Sequence, residues 1–318
     1  MHIQDALQQA LSTARANGHR LYVLLDTAHA ENTHALLDAW RIPYASLFQG
    51  TPEESLIEIA PLLIAVNDLN DEAQGRLFER AQDLGYASPC LSWLEAKAGL
   101  AATADHLRLF HTVGLTEGQT MLMRWYDTRI LPVWLACLAL PQAEAFAAGI
   151  NTWQYVDRSG SVITLPLNDH AQSMPTAGSL GQPLISLTDQ QYGLLVDAAD
   201  LDVLLSHLHR IIPDELRRVH KHKLARFVSR YQQDAIALGL DDIDRQTQYV
   251  LLALYTSGKG VEHPQLKAFM KHPPKTLNAF SEGLQALPDE VWEAGTPLWK
   301  SDAKASVDGW PQPEPAHG

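Results

Sequence analysis

The chain is 318 residues long, 46% hydrophobic and 19% charged, with a formal net charge of −13. That length and apolar content are enough for a large core and two domains, and exclude a disordered polymer. The acidic balance argues against a general nucleic-acid binder, whose affinity rests on Lys and Arg neutralising phosphates. The two cysteines, Cys90 and Cys137, cannot build a disulfide framework and read as buried thiols of a reducing compartment. No apolar run approaches the ~18 residues needed to span a bilayer. The first nine residues lack the basic and apolar regions of a signal peptide. A soluble, cytoplasmic protein with no membrane partner is expected.

Residues 2–17 place Ile3, Leu7, Ala10, Leu11 and Ala14 on one helical face, with Gly18 as the stop. Residues 21–25 form a short apolar run of strand length, followed by Asp26 and His29. A helix over 32–40 and a second strand over 44–48 come next. Thr51-Pro52-Glu53-Glu54 combines an N-cap, a proline for the first helical position and a capping-box glutamate, which predicts a helix ending near Ala60. A third strand over 62–66, a helix over 71–84 and a strand-like run over 88–91 follow. Ser92-Trp93-Leu94-Glu95 reads as a second capping box, opening a helical stretch that Gly99 interrupts before it resumes through His106.

Residues 121–131 stand out. Met121, Met123, Trp125 and Tyr126 suit a buried strand, Asp127 is a residue that caps helices, and Ile130, Leu131, Trp134, Leu135 and Leu138 recur at helical spacing. Arg124 and Arg129 bracket Asp127. Charges at such a corner need partners, because an isolated buried ion is costly. Two readings are open: an ion-pair and cap network of Arg124, Tyr126, Asp127 and Arg129 that fixes the corner, or a catalytic acid with an anion clamp. A short helix from Pro141 and a hairpin of residues 152–156 and 161–165 close the lobe.

The alternation of strands and helices predicts an α/β N-terminal lobe with a largely parallel sheet over residues 1–165. Residues 166–183, rich in Pro, Gly, Ser and Asn, form a linker or surface loop. Residues 184–287 read as an all-α C-terminal lobe. In it, one helix starts at Pro213 with the stripe Leu216, Val219, Leu224, Phe227, Val228 and Tyr231. Asp241 is placed to cap the next helix, which buries Val250, Leu251, Leu254 and Tyr255 and stops at Gly258; shorter helices follow Pro264 and Pro274. The tail, 288–318, carries Trp292, Trp299 and Trp310. Indole is costly to leave in water, so the tail packs on its own domain or docks on a partner.

No phosphate-binding loop, dinucleotide fingerprint or nucleophile elbow is present, so no cofactor is expected. Asp26 with His29, and the pairs His207/His209 and His220/His222, invite a metal reading. Residues two apart on a helix point to different sides, however, and a strand-end Asp more often satisfies loop backbone. The stretch from 205 to 230 holds seven Lys or Arg (Arg210, Arg217, Arg218, Lys221, Lys223, Arg226, Arg230) against Asp214 and Glu215. Arg218, His222, Arg226 and Arg230 at i+4 spacing predict one basic helix edge, either solvated or a partner surface.

Several of these pieces occur together in one known family. Arg124-Trp125-Tyr126-Asp127-Thr128-Arg129 resembles the Arg-Phe-Tyr-Asp-Pro-Arg signature of the type VI secretion adaptors, or effector chaperones (domain of unknown function 4123). Tyr22-Val23-Leu24-Leu25-Asp26, Leu47-Phe48-Gln49-Gly50-Thr51-Pro52-Glu53, Ala60-Pro61-Leu62-Leu63, and Ser92 with His106-Leu107-Arg108 match other family blocks in the same order, over about residues 20 to 165. The family's proline after the aspartate is Thr128 here, and a proline comes only at Pro132, so the helix starts later or kinks. The resemblance implies a non-enzymatic, cytoplasmic adaptor that binds a cognate secreted effector and the tip of the VgrG spike. The alternative from another class is an α/β hydrolase or metal-dependent enzyme using Asp26, His29 and Asp127, which requires the three to converge in one cleft.

Overall fold

The amphipathic stripe at the N-terminus forms α1 (Ile3–Ala16), whose Ile3, Leu7, Leu11 and Ala14 are fully buried. The structure, a computed structural model, describes residues 2–167 and 183–301. The chain divides into two compact units, one up to Ala198 and one from Ala199 on.

In the first unit the strands are β1 (Arg20–Leu25), β2 (Ala45–Ser46), β3 (Leu62–Ala65), β4 (Leu91–Ala96), β5 (Thr112–Gly114), β6 (Thr120–Leu122), β7 (Ile150–Val156), β8 (Val162–Thr164) and β9 (Ile185–Ser186). The helices after α1 are α2 (Thr33–Ala39), α3 (Asp71–Ala87), α4 (Leu100–Arg108), α5 (Leu131–Cys137) and α6 (Leu140–Ala147). Six strands form a sheet in the order β2-β3-β1-β4-β7-β8.

The expected parallel sheet is not found: every neighbouring pair in this sheet is antiparallel. The one parallel pair described, β5 with β9, belongs to a separate three-stranded sheet, β6-β5-β9. The error has two physical sources. The central strands β1, β3 and β4 are buried along nearly their whole length, so they lack the polar alternation that marks a half-exposed antiparallel strand. The β3-α3-β4 segment is also a true crossover between strands that point the same way. But β1 lies between them, antiparallel to both.

Local signals failed where tertiary pairing outweighed them. Ser92-Trp93-Leu94-Glu95 opens no helix; it is the middle of β4, paired with β1 on one side and β7 on the other. Thr51-Pro52-Glu53-Glu54 makes a turn in which Thr51 Oγ1 accepts from Glu53 N at 3.3 Å. A three-residue 3-10 turn, Ile57–Ile59, then replaces the expected helix. Its apolar residues find no core, Leu56, Ile57 and Ile59 being 47, 57 and 43% exposed, and a short helix without a buried face is marginal. The strand expected over 44–48 shrinks to β2. The strand expected through Met123, Trp125 and Tyr126 ends at Leu122, and a turn carries the two aromatics.

Those aromatics close the core. Trp125 meets Trp153 edge-on at 5.8 Å and Phe146 at 5.3 Å, and Phe146 stacks on Trp153 at 5.5 Å. Such pairs contribute about 0.5–1.5 kcal/mol each beyond area burial. Gly85 of α3 lies close to α1 and β4: a Cβ there would come within 2.6 Å of Ile3 Cδ1 and 2.9 Å of Leu91 Cδ2, so these side-chain ends would have to shift. Cys90 and Cys137 are buried and form no disulfide.

The helix α7 (Asp189–Ile211) carries the chain from one unit to the other. The second unit holds α8 (Pro213–Leu216), α9 (Lys221–Ala237), α10 (Ile243–Thr256), α11 (Pro264–Phe269), α12 (Leu277–Gln285), α13 (Asp289–Trp292) and α14 (Leu298–Ser301). The single helix expected from Pro213 is two. Leu216, Val219, Leu224, Val228 and Tyr231 are buried as the stripe requires, but the five-residue step from Val219 to Leu224 does not fit a 3.6-residue repeat, and a break at 217–220 absorbs it. Asp242, not Asp241, caps α10, its side chain accepting from Arg245 N at 2.9 Å, while Asp241 pairs with the Arg245 guanidinium. In that helix Val250 and Leu254 are buried, Leu251 is half-buried and Tyr255 is exposed.

Candidate functional site

The end of β1 delivers Asp26 into the interior, where it is 0% exposed. Its Oδ1 accepts from Ala28 N at 3.1 Å and so caps the 3-10 turn Thr27–His29. Its Oδ2 accepts from Arg124 Nη2 at 2.8 Å. The same turn presents His29. Asp127, also 0% exposed, sits in the turn after Trp125 and Tyr126. Its Oδ1 accepts from both Arg129 N and Nε at 2.9 Å, and its Oδ2 from Arg129 Nη2 at 2.6 Å. Arg129 Nη2 also lies 3.0 Å from His29 Nε2.

The side chains expected at the corner therefore do converge, and more widely than the sequence suggested. The candidate ligand atoms of Asp26, His29 and Asp127 lie within 4.8 Å of one another. Arg124 does not pair with Asp127 as a bracketing residue; it reaches Asp26 instead. Nor does Asp127 cap the following helix with its side chain. The helix α5 begins at Leu131, with Pro132 in its first turn, where the missing N–H costs nothing. That later start resolves the displaced proline.

The two carboxylates are pushed in opposite directions. Burial raises Asp26, and the charge of Arg124 opposes this only in part. Burial would raise Asp127 too, but its contacts with His29 and the Arg129 guanidinium outweigh it and hold the carboxyl well below the usual range. Burial also raises the phenol of Tyr126, which lies beneath the Arg124 guanidinium, 5.9 Å from the ring centroid. From outside, the corner shows the edges of Arg124, Arg129 and His29, whose side chains are 36, 23 and 29% exposed, over two sealed carboxylates.

The other motif blocks meet in the same unit. Phe48 packs edge-on to Tyr126 at 6.3 Å, and Thr27 Oγ1 donates to Ala60 O at 2.8 Å. Arg108, 8% exposed, donates through Nη2 to Ser46 O at 2.6 Å and to Gln49 at 3.0 Å. Its anchoring role was missed, although a basic residue closing an amphipathic helix was a visible signal. His106 Nε2 lies 3.0 Å from Phe146 O, and Ser92 is fully buried in β4.

In the second unit, Arg218 falls in the turn before α9, so only His222, Arg226 and Arg230 share the helix edge. His220 and His222 pack ring to ring at 5.0 Å, and His207 faces Asp244 at 3.9 Å. Trp299 is 6% exposed, edge-on to Tyr255 at 5.0 Å, and Trp292 is half-buried. These two pack on their own core, while Trp310 and most of the 166–183 segment lie outside the described residues. Among the described residues no helix is long and apolar enough to cross a membrane.

Residues 21–145 match the model of a family described as a domain of unknown function (DUF4123). The matched span, under half of the chain, runs from β1 into α6 and contains the whole Asp26–His29–Arg124–Asp127–Arg129 cluster. No curated protein and no solved structure matches the chain.

Proposed function

We propose that this protein is a non-enzymatic adaptor of the type VI secretion system that binds a cognate secreted effector and loads it onto the VgrG spike. The family match over residues 21–145 supports the secretion context. The observation that supports the non-enzymatic part is that arginine holds both buried carboxylates, Asp127 in a bidentate pair with Arg129 and Asp26 through a single bond from Arg124. Asp127, in its bidentate arginine pair, is a poor general base and a poor metal ligand, because a proton or cation must displace a guanidinium to reach it. On this reading the cluster is the clasp that holds β1 to the loop before α5, and binding is done by the surface around it.

The second reading, an enzyme built on Asp26, His29 and Asp127, is favoured by one observation: two adjacent carboxylates with oppositely shifted pKa values are a recurring acid–base arrangement. The antiparallel sheet removes its support from a parallel hydrolase-like lobe. Co-expression with the effector encoded beside this gene separates the two. An adaptor co-elutes with that effector and raises its soluble yield; an effector equally soluble and unbound contradicts the adaptor.

A further inference from the structure

The six-stranded sheet has two edges, and they differ. At β2 the edge is covered: Ser46 O accepts from Arg108 Nη2 at 2.6 Å and from its Nε at 3.2 Å. At β8 the edge is open. Leu165 N donates to Trp153 O, and Ser161 O accepts from Asp157 N, so Ser161, Ile163 and Leu165 turn their backbone groups toward β7. Val162 and Thr164 therefore turn theirs outward, where no further strand pairs with them among the described residues. The same edge borders a groove of about 440 Å³ between α5–α6 and β7–β8, lined by Leu135, Leu140, Ala143, Tyr155, Ile163 and Leu165. Phe146 of α6 covers the sheet at Trp153, but the apolar surface runs on past it: Leu140 is 60% and Ile163 37% exposed. Glu144 is the one charged residue lining the groove, and it is half-buried. The elements α5, α6, β7 and β8 hold no other charged residue, and the turn between β7 and β8 adds one charge of each sign, Asp157 and Arg158. Among the described residues Glu144 has no ion pair and no side-chain hydrogen bond.

We propose that the open edge of β8 takes up an extended segment of a partner protein as an added strand. The segment carries apolar side chains at alternate positions, and one Lys or Arg among them that meets Glu144. Backbone pairing along Val162 and Thr164 supplies affinity, and the period of two puts every second side chain on the face of Tyr155 and Ile163, over the groove. Glu144 sets the sign of the partner's charge, since the groove walls offer an anion and no cation, and a half-buried carboxylate gains from being paired. A small apolar molecule fits less well: it could fill the groove but would leave the outward N–H and C=O groups of the edge unused. The inference stands apart from the adaptor reading, because it follows from the edge and the groove, and its failure would leave that reading untouched.

The test uses the full chain and short fluorescein-labelled peptides alternating Thr and Val, with one position of the Val face replaced by Lys or by Gln, and follows binding by anisotropy. Wild type binds the Lys peptide more tightly than the Gln peptide, and Glu144→Gln removes that preference, a change of about two- to five-fold for one partly exposed pair. Thr164→Pro deletes an outward N–H while leaving the backbone bonds to β7 in place, and weakens both peptides by about ten-fold or more. Circular dichroism checks that the variant is folded. Where it is not, peptides N-methylated along the pairing edge are used with wild type instead, and lose binding by the same factor. No binding of either peptide by wild type, or equal binding by wild type and Thr164→Pro, overturns the proposal. Equal affinity of wild type for the Lys and Gln peptides overturns the assignment of the cation. A dimer in sedimentation that Thr164→Pro dissociates overturns the proposal in favour of a second copy of this chain at the edge.

Discussion

Arg124 donates to Asp26 across 98 positions of sequence, a 2.8 Å bond that ties the end of β1 to the turn before α5. Asp26 is completely buried and Arg124 about one-third exposed, so the pair is asymmetric: losing the arginine strands a buried carboxylate, while losing the carboxylate leaves an arginine that can turn to solvent. Arg124→Leu should therefore lower stability by ~3 kcal/mol, and Asp26→Asn by less. The double variant should recover part of the loss, a coupling readable from urea midpoints in a double-mutant cycle. Additive losses would mean that the bond does not act as the clasp.

His111 offers a pH test of the aromatic core. It is 1% exposed, its ring is bordered by Phe48, Trp125 and Tyr126, and neither ring nitrogen has a hydrogen-bond partner. Burial, with the charge of Arg108 adding to it, pushes its pKa down to about 3. In the unfolded chain the imidazole takes up a proton near pH ~6.5. Between those values the unfolded state binds more protons than the folded one, so stability falls as pH falls. The slope is ~1.4 kcal/mol per unit, or ~2–3 kcal/mol between about pH 6.5 and about pH 4.5. His111→Phe should lose less over that range. Parallel curves for the two proteins would show that His111 does not contribute to the acid sensitivity.

Gly258 ends α10 at φ +86°, and a Cβ there would run into the hydroxyl of Tyr231 on α9. Gly258→Ala combines the left-handed penalty of ~1 kcal/mol with a shift of a buried ring, for an expected loss of ~2–3 kcal/mol in thermal or urea unfolding. A loss near zero would mean that the α9–α10 packing yields freely.

Divalent cations separate the clasp from a metal site. With both carboxylates held by guanidinium groups, zinc, manganese or magnesium should leave the melting temperature unchanged. A dose-dependent rise, abolished by Asp127→Asn, would convert the cluster into a metal centre.

The corner was legible because chemistry is local there: an aspartate between two arginines, in an apolar stretch, announces ion pairing from composition alone. Its true partners were not legible. Asp26 and His29 arrive from a separate turn, and only the β1–β4 register and the turn at Pro89, whose carbonyl accepts from Thr128 N, bring them to Arg124 and Arg129. Helices with a clean stripe, such as α1 and α3, were readable within a few residues, whereas the stripe of α9 was read as continuous with α8. Sheet direction was not, because β1, β3 and β4 are buried on both faces and carry no alternation. The helix α7 gave no signal for a related reason: Tyr192, Leu194, Val196 and Val203 remain exposed along it, so its apolar residues do not fall on one side.

The central claim, that the protein delivers an effector rather than acting on a substrate, is tested most directly by secretion. A strain lacking this gene should make the neighbouring effector but fail to export it by the type VI route. Complementation with wild type should restore export, and secretion of the spike's other cargo should be unaffected. Export of that effector at the full wild-type level from the deletion strain would contradict the account.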